Sequence, residues 1–390
     1  MTAVCLYFKV HQPYLLDESE QNRIDDAATN CYLPANAILL SLIRKLAGKF
    51  KVSFSISGTA IELLQKFRPE VISSFQELVD SGCVEILGET YYHSLASLHS
   101  VSEWKRQVLL HRKLINEIFG VNPVIYRNTE LIHNNNIVQQ VSKLSFDGIL
   151  CEGVASILQG RSPNKLYESI SPDLKLLLRN ARLSDDIAFR FDDQSWSEQP
   201  LTAEKFADWL HSHPPTDDVI NLFMDYETFG QHKHLSTGIF NFLEALPEKV
   251  LTNDQFKFAT PSEIIAQIIP EDNYSTERTI SWEDRSDAAC VWSEHASQHN
   301  MLQKVYSLEK MLLASGYDDM MIRWSRLLSA DHFYFMTTGN SKYHNPYQTL
   351  SEAYERYNRS VQDLEINLIN RNLEKTKKIP WYRSAALSNF

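Results

Sequence analysis

The stretch VINLFMDYETFG, residues 219–230, decides the reading of this chain. Val219, Ile220, Leu222, Phe223 and Met224 make a short apolar run that stops at Asp225. A run of this length, rich in β-branched and aromatic residues, predicts a buried strand. A buried strand that ends on a carboxylate is how a barrel presents chemistry at one rim. A second run behaves alike: in VIYRNTEL, residues 124–131, Arg127 and Glu130 stand just beyond the apolar part. Two such carboxylates suit acid/base or nucleophilic work on a glycosidic bond.

Working outward, short β-rich runs at 3–10, 52–57, 84–87, 124–126, 147–151, 174–178, 219–224 and 256–259 alternate with helix-period runs at 36–49, 69–81, 102–119, 135–144, 203–213 and 238–246. That alternation is the signature of an α/β domain on parallel strands, and it favours a barrel of seven or eight strands over an open sheet. Thr202 stands where an N-cap is expected, and Ser102 precedes another amphipathic run. Residues 270–291 read as a polar, acidic loop, and beyond them the pattern is helical. The expected division is therefore a barrel domain over 1–270 and a loop with a C-terminal helical subdomain over 271–390.

The 390 residues carry 38 basic and 49 acidic side chains, a net charge of −11, which argues against nucleic acid or an anionic membrane as the main partner. Cys5, Cys31, Cys83, Cys151 and Cys290 are widely spaced and include no Cys-x-x-Cys pair, so buried free thiols in a reducing, cytoplasmic setting are expected. The start, MTAVCLYFKVHQPYLL, lacks a basic leader region and a cleavage site and reads as a first strand. No apolar stretch is long enough to span a bilayer.

Polar residues at strand ends are the candidates for chemistry. His11 and Gln12 end the first strand, Glu89 and His93 follow the third, Arg127 and Glu130 the fourth, and Asp225 and Glu227 the seventh. Glu85 lies inside a short strand, where an acid needs a partner or a shifted pKa. Asp225 and Glu227 share a face if the strand continues, and their repulsion would raise one pKa, as a general acid requires. Arg127 would hold Glu130 ionised. His11, His93, His232, His295, Asp225 and Asp331 could ligate a metal, but no His-x-x-x-His or His-Glu-x-x-His spacing occurs, so no metal is expected. A Gly-rich phosphate loop and a Gly-x-Ser-x-Gly elbow are also missing, and no cofactor is expected. Aromatic residues, Trp282 and Trp292 among them, accompany these groups and suit the faces of sugars.

Taken in order, KVHQPY (9–14), GCVEILGETYYHSL (82–95), YRNTEL (126–131), FMDYETFGQH (223–232) and SADHFYFM (329–336) resemble the five sequence regions of glycoside hydrolase family 57. The resemblance spans essentially the whole chain, and its last region is most similar to the intracellular α-amylase branch. It implies an incomplete (β/α)7 barrel followed by a helical bundle, and a retaining mechanism. On the matching positions it implies Glu130 as nucleophile and Asp225 as general acid/base, with His11, Glu85, His93, Trp282 and Asp331 lining the sugar cleft. The implied partner is an α-1,4-glucan. The alternatives are a 4-α-glucanotransferase using the same intermediate, a metal-dependent polysaccharide deacetylase or mannosidase, and a non-catalytic glucan-binding protein.

Overall fold

The computed structural model describes residues 1–15, 20–283, 292, 295–337 and 345–377. Cys290 and the charged residues at 284, 285 and 287 lie outside these residues. The chain forms two compact units, Met1–His93 with Val101–Cys290, and Ser94–Ser100 with Val291–Phe390.

The strands of the first unit are β1 (Thr2–Val10), β2 (Val52–Ile56), β3 (Val84–Ile86), β4 (Ile125–Arg127), β5 (Gly148–Glu152), β6 (Leu166–Glu168), β7 (Lys175–Arg179), β8 (Val219–Asp225), β9 (Phe256–Phe258) and β10 (Asp272–Asn273). β1 is central: it runs parallel to β2 and β8, with Lys9 opposite Ser55 and Asp225, and its start pairs with β9. β2 pairs with β3. Gly88 then hands the sheet on, its N–H donating to Ile125 O at 2.8 Å while its carbonyl accepts from Arg127 N at 2.8 Å. A side chain at position 88 would meet Phe146 at 2.9 Å. β4 pairs with β5, and β5 with β7, all parallel.

The ring closes from β7 to β8 through Asn221, whose Nδ2 donates to Leu178 O at 2.8 Å and whose carbonyl accepts from Asn180 N at 2.9 Å. The barrel therefore has seven parallel strands, with one seam stitched by a side chain instead of a full ladder. β6 lies antiparallel on β7 and carries β10.

Strand parity sorts the side chains. Ala3, Cys5 and Tyr7 of β1 pack in the lumen with Leu87, Ile125, Leu150, Leu177, Val219 and Phe223. Val4, Leu6, Phe8 and Val10 face the other way, into a larger core with Ile220, Leu222, Met224 and helix residues such as Leu39, Phe75 and Leu243. Burial of each such side chain stabilises by roughly 1.5–3 kcal/mol, which fixes the register, since a one-residue slip would exchange lumen and helix faces. The same parity puts Lys9, Arg127, Arg179 and Asp225 on the lumen side, where the strands end.

The eight expected strands are present with every end within one residue. Unforeseen are β6 and β10 and the helices Glu20–Ala27, Gly58–Phe67, Ala181–Ala188 and Pro261–Gln267. Gly58 reads as a breaker, yet it starts a helix because Ser57 accepts from Ala60 N at 3.2 Å and any Cβ there would fall 2.4 Å from the Tyr91 ring. Helix Ile239–Val250 continues through Pro247, where sequence rules stop it. Thr202 is the expected N-cap, accepting from Lys205 N at 3.2 Å.

The second unit is helical, with Ala296–Ser307, Glu309–Ser315, Asp318–Leu327 and Leu350–Lys377 as its main elements. Trp324 is buried and donates to Val305 O at 2.7 Å, and Tyr357 donates to Leu327 O at 2.8 Å. No helix of the described residues is long and apolar enough to cross a membrane. Cys5, Cys31, Cys83 and Cys151 are buried free thiols.

Candidate active site

Lys9 is the residue around which the site is built. Its ammonium lies 2.9 Å from Asp225 Oδ1 and 3.6 Å from Glu130 Oε1, and the three side chains are 11%, 16% and 10% exposed. Burial works against the charge on Lys9, but the Asp225 and Glu130 carboxylates outweigh it and hold the ammonium protonated.

Glu130 sits on a turn prepared by its neighbours. Trp104 Nε1 donates to Tyr126 Oη at 2.8 Å, Tyr126 Oη to Asn128 Oδ1 at 2.8 Å, and Asn128 Nδ2 to Ile132 O at 2.8 Å. Glu130 and Leu131 consequently adopt left-handed φ values of 53° and 51°, and His93, which meets Glu130, has φ 51°. Such conformations cost of order 1–3 kcal/mol each and persist where the surroundings over-determine them. His93 Nε2 lies 2.5 Å from Glu130 Oε1, and Trp282 Nε1 donates to Glu130 Oε2. Trp282 arrives on a strap tied to the same turn: His133 and Ile280 exchange backbone bonds at 2.9 Å, and Asn134 donates to Thr279 Oγ1 at 2.9 Å. Burial would raise Glu130, but Lys9 and His93 override it and hold its carboxyl well below the usual range.

Behind His93 lies Glu89, fully buried, 3.5 Å from His93 Nδ1 and 3.9 Å from Arg127 Nη1. Burial raises Glu89, while His93 and Arg127 bring it down to about 2. Burial alone would discharge His93; Glu130 and Glu89 reverse that and raise its pKa. The ring of His11 stacks on His93 with centroids 4.1 Å apart, and His11 Nδ1 is 2.7 Å from Ser57 Oγ.

Glu227 occupies a different environment two residues beyond Asp225. Its Oε1 accepts from Tyr32 Oη at 2.5 Å and from His11 N at 3.1 Å, and Gln12 supports Tyr32 through Nε2 at 2.9 Å. Burial first, then the Asp225 charge, push Glu227 up to about 7. Asp225 itself is lowered: burial raises it, but Lys9 and His232 prevail. Gly230 closes the loop at φ 104° because a Cβ there would fall 1.9 Å from Asn30 O, on the π-helical turn Ala28–Tyr32 that delivers Tyr32.

Of the residues expected from sequence, His11, Gln12, His93, Arg127, Glu130, Asp225, Glu227 and Trp282 come together. Glu85 does not join them: it is level with Ser53, deeper in the barrel, and its carboxylate accepts from Ser262 N at 3.0 Å. Trp292 and Asp331 belong to the second unit, where Trp292 is buried and Asp331 accepts from Ser329 Oγ at 2.5 Å. Two electrostatic expectations are made specific. The raised member of the Asp225/Glu227 pair is Glu227, because Lys9 neutralises Asp225. Glu130 is held ionised by Lys9 and His93 ahead of Arg127, whose ion pair is with Glu89. Lys9 and Tyr32 were missed; a lysine at lumen parity in the apolar run AVCLYFKV was the available signal for Lys9. Among the described residues no group of three His, Cys, Asp or Glu side chains is placed to hold a metal.

This arrangement is two ionised carboxylates facing one cation at a barrel rim, with a third carboxyl able to hold a proton. Residues 5–277 match the profile of glycosyl hydrolase family 57. The chain belongs to that family. It is 36% identical to the "Putative alpha-amylase" of Methanocaldococcus jannaschii over 92% of this chain and 83% of that protein. A 4-α-glucanotransferase from Thermococcus litoralis shares the fold with a TM-score of 0.74 at 13% identity, over 94% of this chain; the chain spans 59% of that one. A branching enzyme of the family from Thermococcus kodakaraensis superposes with a TM-score of 0.72 at 14% identity, over 97% and 92% of the two chains. This family 57 protein is a glycoside hydrolase on an incomplete (β/α)7 barrel.

Proposed function

We propose that this family 57 enzyme is a retaining hydrolase of α-1,4-glucans, of the α-amylase type, with Glu130 as nucleophile and Asp225 as general acid/base. The observation that carries the reading is the shared ammonium. Two oxygens at 2.9 and 3.6 Å from one nitrogen cannot be farther apart than the sum of those distances. That ceiling only reaches the bottom of the ~6.5–9.5 Å separation of inverting enzymes and accommodates the ~5–5.5 Å of retaining ones.

In the first step Asp225, having first taken up a proton, gives it to the departing glycosidic oxygen while Glu130 attacks the anomeric carbon; in the second, Asp225 takes a proton from the water that displaces Glu130. Arg127, with Nε and Nη1 making no hydrogen bond to a described residue, supports a role as donor to a sugar hydroxyl. The proposed cleft also draws on His11, Gln12, His93, Glu227 and Trp282. The buried free thiols fit a reducing, cytoplasmic setting.

The test is the first-formed product of maltoheptaose cleavage, read by proton NMR before mutarotation. An α-anomeric new reducing end agrees with the scheme, and a β-anomer overturns it. The same digest, profiled by length, distinguishes hydrolysis, which gives shorter chains alone, from transfer, which also gives chains longer than the substrate.

A further inference from the structure

We propose that Lys9 is a positioning residue for the carboxylate pair: its single ammonium spans Glu130 and Asp225, fixes their separation, and confines the pH range over which one is charged while the other is protonated. The inference rests on the roles proposed above for those two residues.

The placement is a product of the fold. Lys9 lies at the end of β1, with β2 on one side and β8 on the other, in register with Ser55 and Asp225. Its parity with Tyr7 turns it into the lumen, where the ammonium is 2.9 Å from Asp225 and 3.6 Å from Glu130. A buried ammonium costs several kcal/mol unless it is paired, so this lysine is tied to its partners as firmly as they are to it.

The titratable and charged groups facing the pair come from every neighbouring strand. Tyr7 and His11 belong to β1 and its exit, Glu89 and His93 follow β3, Arg127 precedes Glu130, and Glu227 and His232 follow Asp225. His93 bonds Glu130, and Arg127 pairs with Glu89. Among the described residues, Lys9 is the cation in ion-pair contact with both Glu130 and Asp225.

The consequence for the reaction follows from what each carboxylate must do. The rising limb of a pH profile of kcat/KM reports ionisation of the nucleophile, and the falling limb reports loss of the acid's proton. A cation touching both favours the ionised form of each, so it carries both limbs toward acid pH. A residue that served only to fill space would leave the limbs where they are.

The experiment measures kcat/KM on maltoheptaose from acid to alkaline pH for the wild type, Lys9→Met, Lys9→Gln and Lys9→Arg, with Glu130→Ala as control. Removing the charge is expected to move both limbs to higher pH by roughly 1–3 units, the usual size of an opposite charge at this distance. Lys9→Arg, which keeps the charge, is expected to retain the wild-type limbs. Lys9→Gln keeps a hydrogen-bonding head and serves in place of Lys9→Met where the methionine variant does not fold. Uniform loss of rate with unmoved limbs in both neutral variants overturns the proposal, as does an equal shift in Lys9→Arg. Turnover retained by Glu130→Ala would instead overturn the nucleophile assignment, so the two failures are separable.

Discussion

Two stretches of the same barrel rim carry the same kinds of residue and do opposite things with them. Where β5 and β7 end, Arg179 uses Nε on Phe223 O at 2.9 Å, Nη1 on Glu152 at 3.4 Å and Nη2 on Asp185 at 2.5 Å. Where β1, β4 and β8 end, one ammonium serves two carboxylates, and the Asp225 carboxyl keeps 16% exposure against 7% for Glu152. The difference is in how far each cation is committed. A guanidinium locked to main chain and two acids closes a seam, whereas a shared ammonium leaves carboxylate valence open toward the mouth of the barrel.

The comparison is broken most decisively by deleting one acid from the open side. Glu130→Ala is expected to lower kcat on maltoheptaose on the order of 10⁴-fold or more, as loss of a nucleophile does. Asp225→Asn is expected to cost about 10²–10⁴-fold through lost acid/base assistance. Steady-state rates on the purified variants decide both, and near-normal turnover in either removes it from the mechanism. On the closed side the loss moves to stability. Arg179→Met breaks the buried ion pair with Glu152, and breaking such a pair costs about 3–5 kcal/mol, read by urea unfolding. A large drop in kcat with unchanged stability would show that the two stretches are not divided as described.

Trp282 gives a finer division. Its indole touches Glu130 through Nε1 and stacks on Phe189 with centroids 6.1 Å apart and planes 9° apart. Trp282→Phe keeps the stack and removes the hydrogen bond. A bond to a charged group contributes about 1.5–3 kcal/mol, so kcat/KM is expected to fall about 10–100-fold. If Trp282→Phe matches the wild type, the indole serves the stack alone.

How much of this was legible in the sequence depends on the kind of signal. The barrel strands announce themselves because lumen and helix faces are both apolar, so 3–10 and 219–224 are apolar runs interrupted by Lys9 and Asn221 alone. Helix Gly58–Phe67 did not, since Gly58 is demanded by Tyr91, a tertiary contact that local rules do not contain. Glu130, Asp225, His93 and Arg127 were visible as polar residues at strand ends. Lys9 was hidden within its strand, and its meaning depends on the register that sets it beside Asp225. The Asp225/Glu227 pair could be recognised as coupled, but which member holds the proton is decided by Lys9 on one side and by Tyr32 and burial on the other. Sequence spacing along β8 carries neither fact.

The smallest effects concern pH and stability, and here two acids of the open side should behave with opposite sign. Glu89 is brought down to about 2, so its contribution is present above the unfolded carboxylate value near ~4.3 and is lost as pH falls toward 2. Glu227 is pushed up to about 7, so the fold prefers its protonated form. Its contribution is full below ~4.3 and disappears as pH rises through 7. Glu227→Gln keeps an acceptor for Tyr32 and His11 and removes the titration. Relative to the wild type it should gain on the order of 2–3 kcal/mol between pH 5 and pH 8, whereas Glu89→Gln should show no such gain over that window. Urea unfolding at the two pH values measures both. A Glu227→Gln difference that is the same at pH 5 and pH 8 would mean that Glu227 is ionised throughout, and Asp225 would then share its site with a second negative charge that Lys9 alone would have to balance.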